Sequence, residues 1–436
     1  MRDGFVWGAA SASYQIEGGV DERGLNLWDM YCRQPGIIID GTNGDVACDA
    51  YHRWKEDIEI MRGIGLKAYR FSISWARVIP DGTGAVSEKG LAYYEQLCEA
   101  LVDAGITPWV TLFHWDYPYE LYRRGGWLNP DSPKWFEDYA DVVTKRLGKY
   151  VKHWITLNEP QCFIGLGFAQ GEHAPGLKLP LWDTMLMAHN ALLSHGRAIM
   201  KIRENVPNSV AGFAPTGDVP CPKANTPEEI EKARAEYFAV KEDNVFWDVA
   251  YFSDPVYLGK YPDDVISNFG QFMPKISSAD MDVIKQPLDF CGQNIYRGVD
   301  AYANKPGKAI TAAKWPISPE ALYWGPKFLY ERYKKPIVIT ENGLSCADVV
   351  SLDGKVHDPN RIDYLNRYLS AYKRAGQDGA ELLGYFQWCL TDNFEWAKGY
   401  TERFGIVYCD IETGERIRKD SSYWYSEVIK NNGADL

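Results

Sequence analysis

HWITLNEP, residues 153–160, and PIVITENG, residues 336–343, share one design. Each is a short run rich in β-branched residues that ends abruptly in a glutamate flanked by asparagine: Asn158-Glu159 in the first, Glu341-Asn342 in the second. A near-continuous apolar run suits a strand covered on both faces, as in a parallel sheet. Six further runs have the same character: Phe5–Ala9, Ala68–Trp75, Pro108–Trp115, Ser209–Thr216, Asp289–Tyr296 and Leu382–Leu390. Helical periodicity fills the gaps. Tyr94, Leu97, Cys98, Leu101 and Val102 make one apolar face, with Ser87 placed to cap that helix and Gly105 to end it. Ser132-Pro133 opens another, with proline at the first helical position and Trp135, Tyr139, Val142 and Val143 on the buried side. Ile362, Leu365, Leu369 and Tyr372 repeat the pattern up to a stop at Gly376.

Eight strands with helical crossovers and no break in composition predict an α/β fold, a single (β/α)8 barrel over residues 1–436 with long βα-loop insertions. An open doubly wound sheet is the alternative; no GxGxxG or phosphate loop follows a strand, which weakens it. The barrel is favoured by what stands at the strand ends. His114 closes the third run, Asn158-Glu159 the fourth, Tyr296 the sixth and Glu341-Asn342 the seventh. Active sites of barrels lie on that face. The stretch Thr226–Asp282, between the fifth and sixth runs, reads as an insertion packed over the barrel.

Composition excludes several classes. The 436 residues carry 47 Lys plus Arg against 59 Asp plus Glu, a net charge of −12, which argues against nucleic acid or an anionic membrane as partner. No apolar run approaches the roughly 18 residues of a membrane helix. At the N-terminus the apolar part is only Phe5–Trp7, too short for a secretory signal core. Nine scattered cysteines, odd in number and without a CxxC, fit a reduced compartment, and the expected location is cytoplasmic. Most serve as small core residues; a lone catalytic cysteine is the other option. Aromatic residues reach 14%, which serves a large core or a set of stacking platforms equally well. His173, His189 and His195 are the nearest approach to a metal cluster, but their spacing suits no shared helical face and there is no HExxH. Neither a metal nor a cofactor is expected.

A single glutamate at a strand end often just caps the next helix. Two such acids, on strands whose ends converge across a barrel mouth, are what glycoside hydrolysis needs: one to protonate the leaving oxygen, one to act on the opposite face of the sugar. TLNEP and ITENG resemble the two signature segments of glycoside hydrolase family 1, the β-glucosidase family. The resemblance extends along the chain through FVWGAASASYQIEG, YRFSISWARVIP, TLFHWDYP, FWDVAYFSDPVYLGKYP, DFCGQNIY, WPISPEALY and YFQWCLTDNFEWAKGYTERFGIVYCD.

The resemblance implies a retaining exo-β-glycosidase working by double displacement, with Glu159 as acid/base and Glu341 as nucleophile. Arg70, Tyr296 and Asn294 would support the nucleophile. An arginine closing a barrel ion pair and a tyrosine in the core are the structural alternatives for the first two. Gln15, His114, Trp115, Asn158 and Glu395 would hold the glycone, Trp388 would stack on its apolar face, Trp396 would donate through its indole, Phe404 would close the wall, and Trp315 would form the aglycone platform. Glu395, where relatives acting on 6-phosphorylated sugars carry a small hydroxyl residue, points to unphosphorylated substrates. Two positions depart from the family: Gln161, where a tryptophan often follows NEP, and Ala321, where a glycine is usual. The first puts the shape of the entrance in question. The expected substrates are small β-glycosides or β-linked oligosaccharides, glucosides first, with galactoside or fucoside side activity. A transglycosylase sharing the same intermediate and a non-catalytic sugar-binding barrel are the alternatives, and the oligomeric state stays open.

Overall fold

The computed structural model describes residues 1–241, 245–300 and 305–436, so a small part of the Thr226–Asp282 insertion, residues 242–244, lies outside the described residues. The eight runs form strands β1 (Val6–Ala10), β2 (Ala68–Ser72), β3 (Thr107–Phe113), β4 (His153–Asn158), β5 (Val210–Ala214), β6 (Cys291–Asn294), β7 (Ile337–Asn342) and β8 (Leu382–Trp388). They lie in one parallel sheet in the order β5-β4-β3-β2-β1-β8-β7-β6. The two edges then meet. Asp289 N donates to Ala211 O at 2.9 Å, Asn294 N donates to Pro215 O at 2.9 Å, and Thr216 bridges Asn294 in parallel. The sheet closes on itself as a (β/α)8 barrel.

Crossover helices are α1 (Ala50–Ile64), α2 (Glu88–Asp103), α3 (Ser132–Leu147), α4 (Leu181–Asn205), α5 (Pro227–Phe238), α6 (Val249–Leu258), α7 (Asp263–Phe269), α8 (Ser278–Ile284), α9 (Ala321–Tyr333), α10 (Pro359–Gln377) and α11 (Asp420–Lys430). Ser87 caps α2 by accepting from Gly90 N. Tyr94, Leu97, Cys98 and Leu101 are buried, but Val102 is 45% exposed. At 3.6 residues per turn Val102 stands about 80° from Tyr94, off the edge of the apolar stripe. Helix α3 begins at Ser132 after an Asp131 cap, which puts Pro133 one place later than expected. Helix α10 runs through Gly376 and the chain turns at Gly379, φ 99°. Gly376 is small for packing: a Cβ there would stand 2.9 Å from Leu382 Cδ1.

The barrel interior is a packed floor. Trp109 meets Phe290 and Phe386 with ring centroids 5.3 and 5.0 Å apart. Gly8 and Gly212 make the room, since a Cβ on either would lie within 2.5 Å of the Phe386 or Phe290 ring. Large rings from some strands set against bare backbone from others fill the lower barrel and leave the C-terminal face to open outward. All nine cysteines are unbridged thiols. Among the described residues no helix is long and apolar enough to cross a membrane.

Candidate active site

A cavity of about 540 Å³ opens at the C-terminal ends of the strands, and both Glu159 and Glu341 line it. Three of its residues hold left-handed backbone: Trp115 at φ 79°, Glu159 at φ 46° and Trp396 at φ 51°. Such conformations cost on the order of 1–3 kcal/mol each and persist where the surroundings fix them. Two of them are held by direct bonds: Glu159 N donates to Ala214 O at 2.8 Å, and Trp115 Nε1 donates to Asn158 O at 2.9 Å.

The two carboxyls have different company. Arg70, rising from β2, donates through Nη1 to Glu341 Oε1 at 2.7 Å, and Tyr296 donates its hydroxyl to Oε2 at 2.8 Å. Arg70 is itself locked by Thr340 O, Thr111 Oγ1 and Asn158 Oδ1. Among the described residues no cation is bonded to Glu159. Its Oε1 accepts from Asn294 Nδ2 at 2.7 Å and its Oε2 from the Cys162 thiol at 3.0 Å. Burial first, then the Glu341 charge, pushes Glu159 up to about 7. Burial also raises Glu341, but Arg70 and then Tyr296 pull against that rise. The negative charge of the pair therefore settles on Glu341 and the proton on Glu159. Asn294, which the resemblance places beside the nucleophile, donates its amide to Glu159 and Asn158 while Thr340 Oγ1 holds its oxygen at 2.6 Å, and the same amide also pulls against the rise of Glu341.

Behind the cavity wall a polar chain sets one tautomer. Asn158 Oδ1 accepts from Arg70 and Asn294, so its Nδ2 is the donor facing His114 Nε2 at 3.1 Å. Burial holds His114 well below its usual pKa, hence neutral, with its proton on Nδ1. Asn158 and Gln15 are fully buried. The Gln15 amide donates to Asn393 Oδ1, Phe394 O and Glu395 Oε2, so in this state Gln15 braces the loop that carries Glu395. His114, Trp115, Trp388, Glu395, Trp396, Phe404 and Trp315 all line the cavity. The rings form a cage: His114 stacks on Trp388 at 5.6 Å, Trp115 leans on Trp396 at 4.5 Å, and Phe404 stands 6.0 Å from Trp315.

The sequence model of Glycosyl hydrolase family 1 matches residues 1–434. The chain belongs to that family. It is 45% identical to a 1,4-β-D-glucan glucohydrolase of Thermotoga neapolitana over 99% of this chain and 98% of that protein, and 44% identical to β-glucosidase A of Thermotoga maritima with the same coverage. The solved structure of the Thermotoga maritima β-glucosidase in complex with deoxynojirimycin superposes with a TM-score of 0.92, at 43% identity and 99% coverage of both chains.

Membership makes the protein a glycoside hydrolase on a (β/α)8 barrel. Its two departures from the family pattern lie away from the cavity. Gln161 is buried and spans to the end of β5, its Nε2 donating to Thr216 O at 2.9 Å and its Oε1 accepting from Thr216 N. Gln161 itself is not among the residues that line the cavity. Ala321 is fully buried as the first residue of α9. Cys162, Glu402 and Trp247 also line the cavity and were not singled out from sequence. Cys162 follows Glu159 at a spacing of three, the one signal that could have found it. His189 and His195 stay apart from the site, bonded to Tyr261 and Thr156, while His173 packs against Trp28 and Trp115 at its rim.

Proposed function

We propose that this family member is a retaining exo-β-glucosidase with Glu341 as nucleophile and Glu159 as acid/base. One observation supports it above all: the two strand-end glutamates face one cavity, and among the described residues a cation clamps Glu341 but not Glu159. Glu341 attacks the anomeric carbon while Glu159 gives its proton to the departing oxygen. Glu159, now ionised, takes a proton from water, which displaces Glu341 and restores the starting configuration. His114, Asn158, Gln15 and Glu395 hold the glycone hydroxyls, with Trp115 backing them. Trp388 and Trp396 supply the apolar floor and an indole donor, and Phe404 closes the wall. Trp315 and Trp247 flank the mouth for the aglycone. A pocket closed below by ring packing suits a chain end rather than a chain middle, and a single catalytic barrel carries the whole activity. Nine free thiols favour a cytoplasmic setting.

The two glutamates fail differently when removed. Glu341→Ala loses every substrate alike. Glu159→Ala loses the roughly 10²–10⁴-fold help of a general acid, but only on poor leaving groups. With a dinitrophenyl β-glucoside it accumulates a glycosyl-enzyme, and azide restores turnover and yields the β-glycosyl azide. Burst kinetics and product NMR read both. An α-azide from Glu159→Ala, or a trapped intermediate in Glu341→Ala, reverses the roles.

A further inference from the structure

Cys162 follows Glu159 by three residues, on the turn from β4 into the helical segment Gln161–Gln170. Its backbone N–H donates to Glu159 O at 2.9 Å, which folds the thiol beneath the carboxyl. Sγ stands 3.0 Å from Glu159 Oε2, is 4% exposed as a residue, and borders the same cavity. The partner of the other carboxyl oxygen is fixed: Asn294 Nδ2 can only donate, because the Asn294 oxygen accepts from Thr340. Asn294 therefore suits the ionised form of Glu159.

A thiol is less committed. Its S–H donates weakly, its sulfur accepts weakly, and rotation about Cβ–Sγ moves the hydrogen from one task to the other. The retaining cycle asks for both states of Glu159, an acid in the first step and a base in the second. We infer that Cys162 is a positioning residue for the acid/base, keeping the Glu159 carboxyl in one orientation by donating to its carboxylate and by accepting from its acid until the leaving oxygen takes that O–H. The inference rests on the acid/base assignment of Glu159. Burial keeps the thiol itself protonated, so it neither attacks a sugar nor competes as a base. The charged and titratable groups that face this pair are Glu341, Arg70, Tyr296, Glu395 and Arg297. Among the described residues Cys162 is the group bonded to Oε2.

Three enzymes test it: Cys162→Val, which fills the space without a bond, Cys162→Ser, which restores a donor and acceptor, and Cys162→Val combined with Glu159→Ala. Loss of the donor leaves the carboxylate less stabilised, so Glu159 holds its proton to higher pH. For Cys162→Val the alkaline limb of kcat/KM on cellobiose moves up by about half a pH unit. Its kcat on dinitrophenyl β-glucoside, where Glu159 acts as base, falls about threefold or more, well short of total loss of the base. Cys162→Ser returns both toward wild type. In the Glu159→Ala background Cys162→Val changes the azide-rescued rate no further. Unshifted limbs in Cys162→Val, an equal shift in Cys162→Ser, or a further loss in the double variant each overturns the inference. Failure of the acid/base assignment itself reads out separately, as a Glu159→Ala enzyme whose loss is the same for good and poor leaving groups.

Discussion

Glu395 shares its cavity with Glu341, Glu402 and Glu159, and burial followed by the charge of these neighbours lifts its pKa to about 8. At neutral pH it is largely protonated. The sequence shows a carboxyl where relatives acting on 6-phosphorylated sugars carry a small hydroxyl residue, but not its state of charge, since burial and neighbouring charge arise only on folding. Electrostatic rejection of a phosphorylated glycone should therefore strengthen as pH rises through 8. We predict that the ratio of kcat/KM for a β-glucoside to that for its 6-phosphate grows by about tenfold between pH 7 and 9, a like-charge penalty on the order of 1.4 kcal/mol. Glu395→Gln should flatten this dependence; a ratio equally flat in the parent enzyme would remove Glu395 from the discrimination. Asn294 teaches the same lesson. The motif places it near the carboxyl pair, and only the geometry says that its direct bond is to Glu159.

The loop after β8 presents Glu395, Trp396 and Phe404 with little regular structure, and buried charges hold it. Asp392 accepts from Gly405 N at 3.0 Å, from Lys419 Nζ at 2.7 Å and from Arg403 Nη1 at 3.0 Å. Lys419, fully buried before α11, also pairs with Asp348, which pairs with Arg361. Removing one member of a buried network leaves opposite charge uncompensated. Lys419→Met should destabilise the protein by about 3 kcal/mol, at the low end for such losses because Arg361 and Arg403 remain, and should raise KM more than it lowers kcat. Urea unfolding and steady-state kinetics check both parts; unchanged stability would make the network ornamental. None of this was legible from sequence, because Asp348, Asp392 and Lys419 are scattered and follow no periodic spacing. The eight strands were legible because each is an unbroken apolar run of strand length between helical periods. Val102 and Gly376 show where periodicity misleads, one at the edge of a stripe and the other a glycine kept for close packing inside a helix.

Across the whole molecule, burial has shifted two sets of groups in opposite directions. His153 and His173 are pushed down to about 4, His195 to about 3, and His114 well below its usual value, in each case by burial first. Asp116 and Glu159 are pushed up to about 7 and Glu395 to about 8, again by burial first. A depressed histidine contributes stability that is present above its unfolded pKa near 6.5 and lost as pH falls through the folded value. A raised carboxyl contributes stability that is present below its unfolded pKa near 4 and lost as pH rises through the folded value. Between about pH 4.5 and 6.5 the two sets oppose each other, and stability should vary little. Above 6.5 the unfolded histidines lose their remaining protons within about one pH unit and offset part of the loss, while the three carboxyls still ionise against burial, at up to about 1.4 kcal/mol per group per pH unit. The net charge of −12, already repulsive, grows in the same direction. We predict that unfolding free energy falls by about 1–2 kcal/mol between pH 6.5 and 8, and that Glu395→Gln and Asp116→Asn each make the fall shallower. Urea midpoints at pH 5.5, 6.5, 7.5 and 8.5 measure it. A stability that rose from 6.5 to 8.5 would mean that these carboxyls are ionised in the folded state at neutral pH, and would take with it the protonated Glu159 on which the first chemical step depends.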